Sequence, residues 1–209
     1  MKSARIYQTD TEYPQQLTAI LGADSPDFIS FAGNYDLVHN KKLAVFVSAK
    51  CSGSVILQTY DIVRQLRRHN LSFVSGFHSP MEKECMRTLA GGDAGIIWFL
   101  AKSLESFSLH DDFCPLFDSG RLLIISPFSD SVTRIKKETA IFRNLLAAAL
   151  AEEVFLPFAS PEGKTEKFCL ELLALGKPVF TLDSIEAQNI IDRGAQPVNP
   201  ADIDSLWGN

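Results

Sequence analysis

The chain has few cysteines, no long apolar run and no excess of positive charge, and each shortage removes a class of function. Its cysteines, Cys51, Cys85, Cys114 and Cys169, lie far apart. No two form a CxxC and no Cys/His group has zinc spacing, so neither a metal centre nor a disulfide framework is expected. The pattern predicts four reduced thiols, mostly in the core. No apolar run approaches the roughly 18 residues that span a bilayer. The opening Met1-Lys2-Ser3-Ala4-Arg5 leads into polar residues, not into a secretion signal. A cytoplasmic protein with no membrane partner is therefore expected. The formal net charge of −5 argues against a surface built for duplex DNA, where affinity comes largely from neutralising phosphates.

Signatures of catalysis and cofactor binding are missing too. No G-x-G-x-x-G stands between a strand and a helix; Gly91-Gly92 and Gly95 precede a strand and read as a tight turn. The Gly163-Lys164-Thr165 triplet does open a helix, but a phosphate loop needs a further glycine where Phe158 stands. A single anion held at that helix start with help from Lys164 is what the triplet permits. There is no G-x-S-x-G elbow. His78 follows a strand end with Glu82 and Glu84 nearby, yet no nucleophile–base pair forms around it. No cofactor, metal or catalytic residue is expected, and the chain does not read as an enzyme.

What is present is a repeated strand–helix pattern. With 46% hydrophobic and 22% charged residues, a chain of 209 is expected to bury a large core as one α/β domain. The apolar run Leu43-Ala44-Val45-Phe46-Val47 is too short for a helix and does not alternate, which suits a strand buried on both faces of a parallel sheet. Small residues follow it, then a helix over 54–69 with Ile56, Tyr60, Val63 and Leu66 as its buried stripe. Further strands are expected at 28–31, 71–74, 95–100, 122–125, 154–158 and 178–182. Helices are expected at 80–89, at 131–152 with Val132, Ile135, Phe142 and Leu146 inward, and around Phe168, Leu172 and Leu175. The stretch 103–119 reads as irregular and 194–209 as a polar end. The alternation predicts an open, mostly parallel, Rossmann-like sheet with helices on both faces, and ligands beyond the carboxyl ends of its strands.

Several stations in fixed order resemble the DprA/Smf family (DNA-processing protein A). These are Tyr13-Pro14, Leu17, Pro26 and Gly33-Asn34 at the entry, then Val47-Ser48-Ala49-Lys50, Ser75-Gly76, Lys137 with Arg143-Asn144, Glu162-Gly163, Gly176 to Phe180, Asn189 and Gly194-Ala195. Ser48, Pro80 and Asp183 stand where the family has glycine, and Lys50 where it has arginine, keeping the charge without the planar fork. The resemblance implies a short extension at 1–40, a Rossmann-like domain at 41–196 and a tail at 197–209. It also implies dimerisation and single-stranded DNA binding at the strand ends. The family role is presentation of that strand to a recombinase in transformation or recombination. The pocket carries over to Lys50, Ser75, Gly76, Lys137, Arg143, Asn144 and Lys164. Two other readings stay open: a nucleotide-binding or nucleotide-processing relative, and a scaffold with a degenerate pocket. Nucleoside-monophosphate phosphoribohydrolases share a similar fold, but their Pro-Gly-Gly-x-Gly-Thr loop is missing.

Overall fold

Leu43, Ala44 and Val45 lie near the middle of one nine-stranded sheet and are fully buried. The computed structural model describes residues 2–208. Its elements run β1 (Ala4–Tyr7), α1 (Gln15–Leu21), β2 (Phe28–Gly33), β3 (Lys42–Val45), α2 (Gly53–Leu66), β4 (Ser72–Ser75), α3 (Pro80–Ala90), β5 (Gly95–Phe99), α4 (Cys114–Asp118), β6 (Leu122–Ser126), α5 (Lys137–Leu150), β7 (Glu153–Phe155), α6 (Lys164–Ala174), β8 (Val179–Leu182), α7 (Gln188–Ile191), β9 (Gln196–Val198) and α8 (Ile203–Trp207), with short 3-10 turns between some of them.

The strand order is β1-β2-β6-β5-β4-β3-β7-β8-β9. The pairs β1–β2 and β2–β6 are antiparallel, and all the others are parallel. Side chains alternate across the central strands into two cores. Leu43, Val45, Phe73, Ile96 and Ile124 meet α2 and α3 on one face. Ala44, Val74, Ile97, Leu123 and Val154 meet α5 and α6 on the other. Burial on both faces is why these strands are uniformly apolar.

The chain steps outward from β3 through β4 and β5 to β6; α5 then carries it back across the sheet to β7, on the far side of β3. This reversal is the switch point where open α/β sheets form their crevice.

Four expectations need correction. β1 and β9 add edge strands at 4–7 and 196–198, and α8 gives structure to the stretch read only as a polar end. The buried stripe of α2 is Val55, Thr59, Ile62, Val63 and Leu66, while Ile56 is 39% exposed. That helix is apolar on more than one side, so periodicity alone left its rotation open; the Thr59 hydroxyl satisfies itself on the Val55 carbonyl and can be buried. The long helix starts at Lys137, not near 131. Thr139 Oγ1 accepts from the Lys136 N–H and closes its first turn, leaving Ile135 outside the helix and exposed. Lastly, only Cys85 and Cys169 are core residues, whereas Cys51 and Cys114 are half-buried; all are free thiols. Burial pushes Cys85 up to about 12 and Cys169 up to about 11, so both stay protonated and unreactive. Among the described residues, no helix is long and apolar enough to cross a membrane.

Candidate functional site

At the switch point an open cleft of about 580 Å3 lies between α5 and α6, with the end of the β3 run as its floor. The face that α5 turns to it is Lys137, Ala140, Ile141 and Asn144. Those positions are i, i+3, i+4 and i+7, one stripe of a helix. The stripe of α6 has the same period: Lys164, Lys167 or Phe168, and Glu171, with Thr165 beside them. Phe46 and Val47 form the floor, and Phe46 meets Phe168 edge-on at 5.1 Å between ring centres. Lys137, Lys164 and Lys167 are exposed. The cleft thus joins an apolar floor to three ammonium groups.

Its walls are held together by specific bonds. Ser48 Oγ donates to Thr165 Oγ1 at 3.0 Å, tying the β3–α2 loop to the first turn of α6. Glu82, buried at the start of α3, accepts from Val47 N at 3.2 Å, from His78 N at 2.8 Å and from Ser79 N at 3.1 Å. One carboxylate therefore joins the cleft floor to the β4–α3 loop. The β7–α6 loop is fixed through Glu166, which accepts from Glu162 N and from Asn189 Nδ2. Asn189 Nδ2 also donates to the Ala159 carbonyl.

The residues expected from the sequence separate into three groups. Lys137, Asn144 and Lys164 converge on the cleft. Ser75, Gly76 and Arg143 lie beneath the surface. Ser75 Oγ accepts from Phe77 N and braces its own loop. Arg143 is only 5% exposed. Its Nη1 donates to the carbonyls of Gly76 at 3.1 Å and Phe99 at 3.3 Å, and its Nε to Asn144 Oδ1 at 2.7 Å. Burial pulls its pKa down, and the Glu82 charge opposes that shift. Arg143 thus acts as a positioning residue: it closes two strand ends and fixes the amide of the cleft-lining Asn144, whose Nδ2 has no acceptor among the described residues. Gly76 and Arg143 also line a second, smaller cleft. Lys50 is exposed on the β3–α2 loop and lines neither cleft.

Sequence reasoning missed Phe46, Ile141, Lys167 and Phe168 as cleft residues. Ile141 carried a usable signal, being an apolar residue off the inner stripe of α5; it is 53% exposed. The helix start after β3 is occupied by the chain's own Glu186. Ser52 Oγ donates to its carboxylate at 2.6 Å, and Ser54 Oγ donates as well. Those two hydroxyls hold the Glu186 carboxyl below its ordinary pKa. Among the described residues, no group of His, Cys, Asp or Glu is arranged to hold a metal ion.

Comparison with known proteins agrees with this architecture. The model of the family described as DNA recombination-mediator protein A matches residues 4–204. The chain is similar to DNA processing protein A (DprA) of Streptococcus pneumoniae, with a TM-score of 0.82 at 20% identity over 99% of this chain and 75% of that one. It is similar to DNA processing protein A of Helicobacter pylori, a structure concerned with a single-stranded DNA binding mode, with a TM-score of 0.79 at 18% identity over 99% and 96% of the two chains. A weaker likeness, with a TM-score of 0.54 at 15% identity over 80% and 95%, links it to the Moco carrier protein of Chlamydomonas rheinhardtii. At these identities the structures speak for the fold. No curated protein matches.

Proposed function

The chain belongs to the DNA recombination-mediator protein A family, and on that premise we propose that it holds single-stranded DNA in the cleft between α5 and α6. The observation that carries this reading is the convergence of Lys137, Lys164 and Lys167 around the apolar side chains of Phe46 on the floor and Ile141 and Phe168 on the walls. A single strand offers both parts that such a cleft matches. Its phosphates pair with ammonium groups, and its unstacked bases lay their faces on apolar and aromatic side chains. A duplex keeps its bases stacked and presents mainly charge. The free Nδ2 of Asn144 donates to a base carbonyl or a phosphate oxygen.

The net charge of −5 confines attraction to this cleft and discourages coating of nucleic acid elsewhere. Two carboxylates line the cleft: the oxygens of Glu82 are already engaged by three backbone N–H groups, and Glu171 sits at the end of the α6 stripe away from Lys164. Lys50, on the rim loop, supplies a phosphate contact outside the cleft. Ser75, Gly76 and Arg143 support the site from below. The activity is binding, without a chemical step. In the cell it serves to present the strand to a recombinase, from a cytoplasmic homodimer, in DNA uptake or recombination.

A titration with fluorescently labelled oligo-dT at two salt concentrations tests this reading. Binding is expected to weaken as salt rises, with the logarithmic slope falling by about 0.7 for each phosphate contact removed. Lys137→Ala and Lys164→Ala are each expected to reduce both affinity and slope. Absence of binding at tens of micromolar protein overturns the proposal.

A further inference from the structure

The second cleft, of about 370 Å3, opens beyond the carboxyl ends of β4 and β5. Arg143 lines it, and the adjacent Asn144 lines the first cleft, so the two adjoin along one helix. Its charged lining differs from that of the first. Lys83, Lys102 and Arg143 face it together with His78, and no carboxylate does. Among the described residues, none of those three cations is in an ion pair. In a chain with 25 acidic against 20 basic residues, the charged side chains of this lining are all cationic or histidine, and the carboxylate that acts on Arg143, Glu82, lies outside it.

Two further observations point to a ligand. The first is the Arg143 guanidinium, buried to within 5%. Nε and Nη1 are bonded, and Nη2 has no acceptor among the described residues. Nη2 is not among the fully buried atoms that lack a partner, so it is open to solvent, and an anion in the cleft can accept from it in a charge-assisted bond. The second is the aromatic wall. Trp98 is half-buried and meets Phe107 edge-on at 5.2 Å, while its Nε1 donates to the Gly76 carbonyl at 3.0 Å, which fixes the ring. Beside it, buried Phe77 is held at a φ of 44°, a left-handed conformation that bulky residues avoid. Backbone strain of this kind persists where surrounding structure enforces it, and it concentrates at binding sites.

We infer that this second cleft takes a neighbouring segment of the same single strand, with a phosphate between Lys83, Lys102 and Nη2 of Arg143 and a base against Trp98 and Phe107. The inference rests on the reading of the first cleft. Together the two clefts define a path across the carboxyl ends of β3, β4 and β5, turning at the Arg143-Asn144 pair.

The test compares labelled oligo-dT of about 4 and about 12 nucleotides, within the range that single-strand sites occupy. Lys83→Ala with Lys102→Ala is expected to bind the longer oligomer about tenfold more weakly and with a flatter salt slope, and to lose less on the shorter one. Because Lys102 Nζ also donates to the Ser106 carbonyl, Lys83→Glu, at an exposed residue with no described bond, serves as a second variant with the same expected direction. The emission of Trp98 gives an independent readout. It is one of two tryptophans, and Trp207, buried against Phe180, is removed by Trp207→Phe. The longer oligomer is expected to quench Trp98. If the lysine variants bind both lengths as the unmodified protein does, or Trp98 emission stays unmoved at saturation, while Lys137→Ala still weakens binding, the second cleft is not on the path and the first stands. If free dTMP quenches Trp98 as fully as the oligomer does, the cleft is a separate mononucleotide site and the strand assignment fails. If the unmodified protein binds no oligomer of either length, both readings fall.

Discussion

The Arg143 guanidinium occupies the space that a side chain at Gly76 would need: a Cβ built there overlaps Nη1, Cζ and Nε. Gly76 is not in a left-handed conformation, so close approach and not backbone freedom requires glycine here. Gly76→Ala is therefore expected to displace Arg143 or shift the β4–α3 loop, at a cost of about 2 kcal/mol. The shift in urea midpoint measures it. A variant as stable as the unmodified protein shows that the guanidinium has room to move.

Arg143 itself couples stability to binding. In Arg143→Ala the Gly76 carbonyl keeps a donor in Trp98 Nε1, but the Arg143 donor to the buried Phe99 carbonyl is lost. The expected cost is about 1–3 kcal/mol. Asn144 loses its anchor at the same time, so oligonucleotide affinity falls even in the folded fraction. Arg143→Lys keeps a charge but not the fork that spans two carbonyls and an amide, and it is expected to recover little of either. Denaturation and titration of the same samples separate the two effects.

Glu82 is a buried junction. Its carboxylate takes N–H groups from residues 47, 78 and 79. Glu82→Gln replaces one acceptor oxygen with a donor that faces backbone N–H groups, and is expected to destabilise by about 2 kcal/mol. Hydrogen exchange at Val47, His78 and Ser79 should accelerate more than in the strands. Unchanged protection at those amides counts against the junction.

Glu186 makes stability depend on acidity. Hydrogen bonds from Ser52 and Ser54 lower its pKa in the folded chain from the ordinary 4.5. A carboxyl with a depressed folded pKa contributes stability above its unfolded value, and loses that contribution as pH falls through the folded one. The stability difference between the unmodified protein and Glu186→Gln is therefore expected to be constant from pH 7 down to about 4.5 and to shrink below it. Urea midpoints across that range measure it. A difference that grows on acidification gives the opposite sign and removes the linkage.

The lysines are expected to rank by position. Lys137 and Lys164 face the first cleft and Lys50 faces neither. Lys137→Ala and Lys164→Ala should each weaken oligo-dT binding about tenfold at low salt, and Lys50→Ala by only a few-fold. Equal effects for all three place the bound strand over the β3–α2 loop as much as in the cleft.

Much of the fold was legible because central strands leave a strong trace. Leu43 to Val47, Ile96-Ile97 and Leu122 to Ile125 must be apolar on both sides when both faces of a sheet are covered. Edge strands leave little. Ala4–Tyr7 is mostly exposed, and Gln196–Val198 contains a proline, so neither shows an apolar pattern. The start of α5 was obscured for another reason: residues 131–136 have residues compatible with a helix, but Ser103 N donates to the Val132 carbonyl and holds that stretch in a loop.

By itself the sequence determined the alternation of strands and helices, the parallel sheet, the crevice at the strand ends and the motif order of the family, because each depends on local periodicity or spacing. The tertiary structure alone decided which of those motif residues reach solvent. Arg143 and Gly76 are 67 positions apart, and nothing local tells that the arginine packs over the glycine and leaves its neighbour Asn144 to face the cleft. Whether a charged side chain is exposed or buried depends on how distant segments pack around it, and here that packing turned Arg143 into a buried support and left the lysines of α5 and α6 to line the cleft.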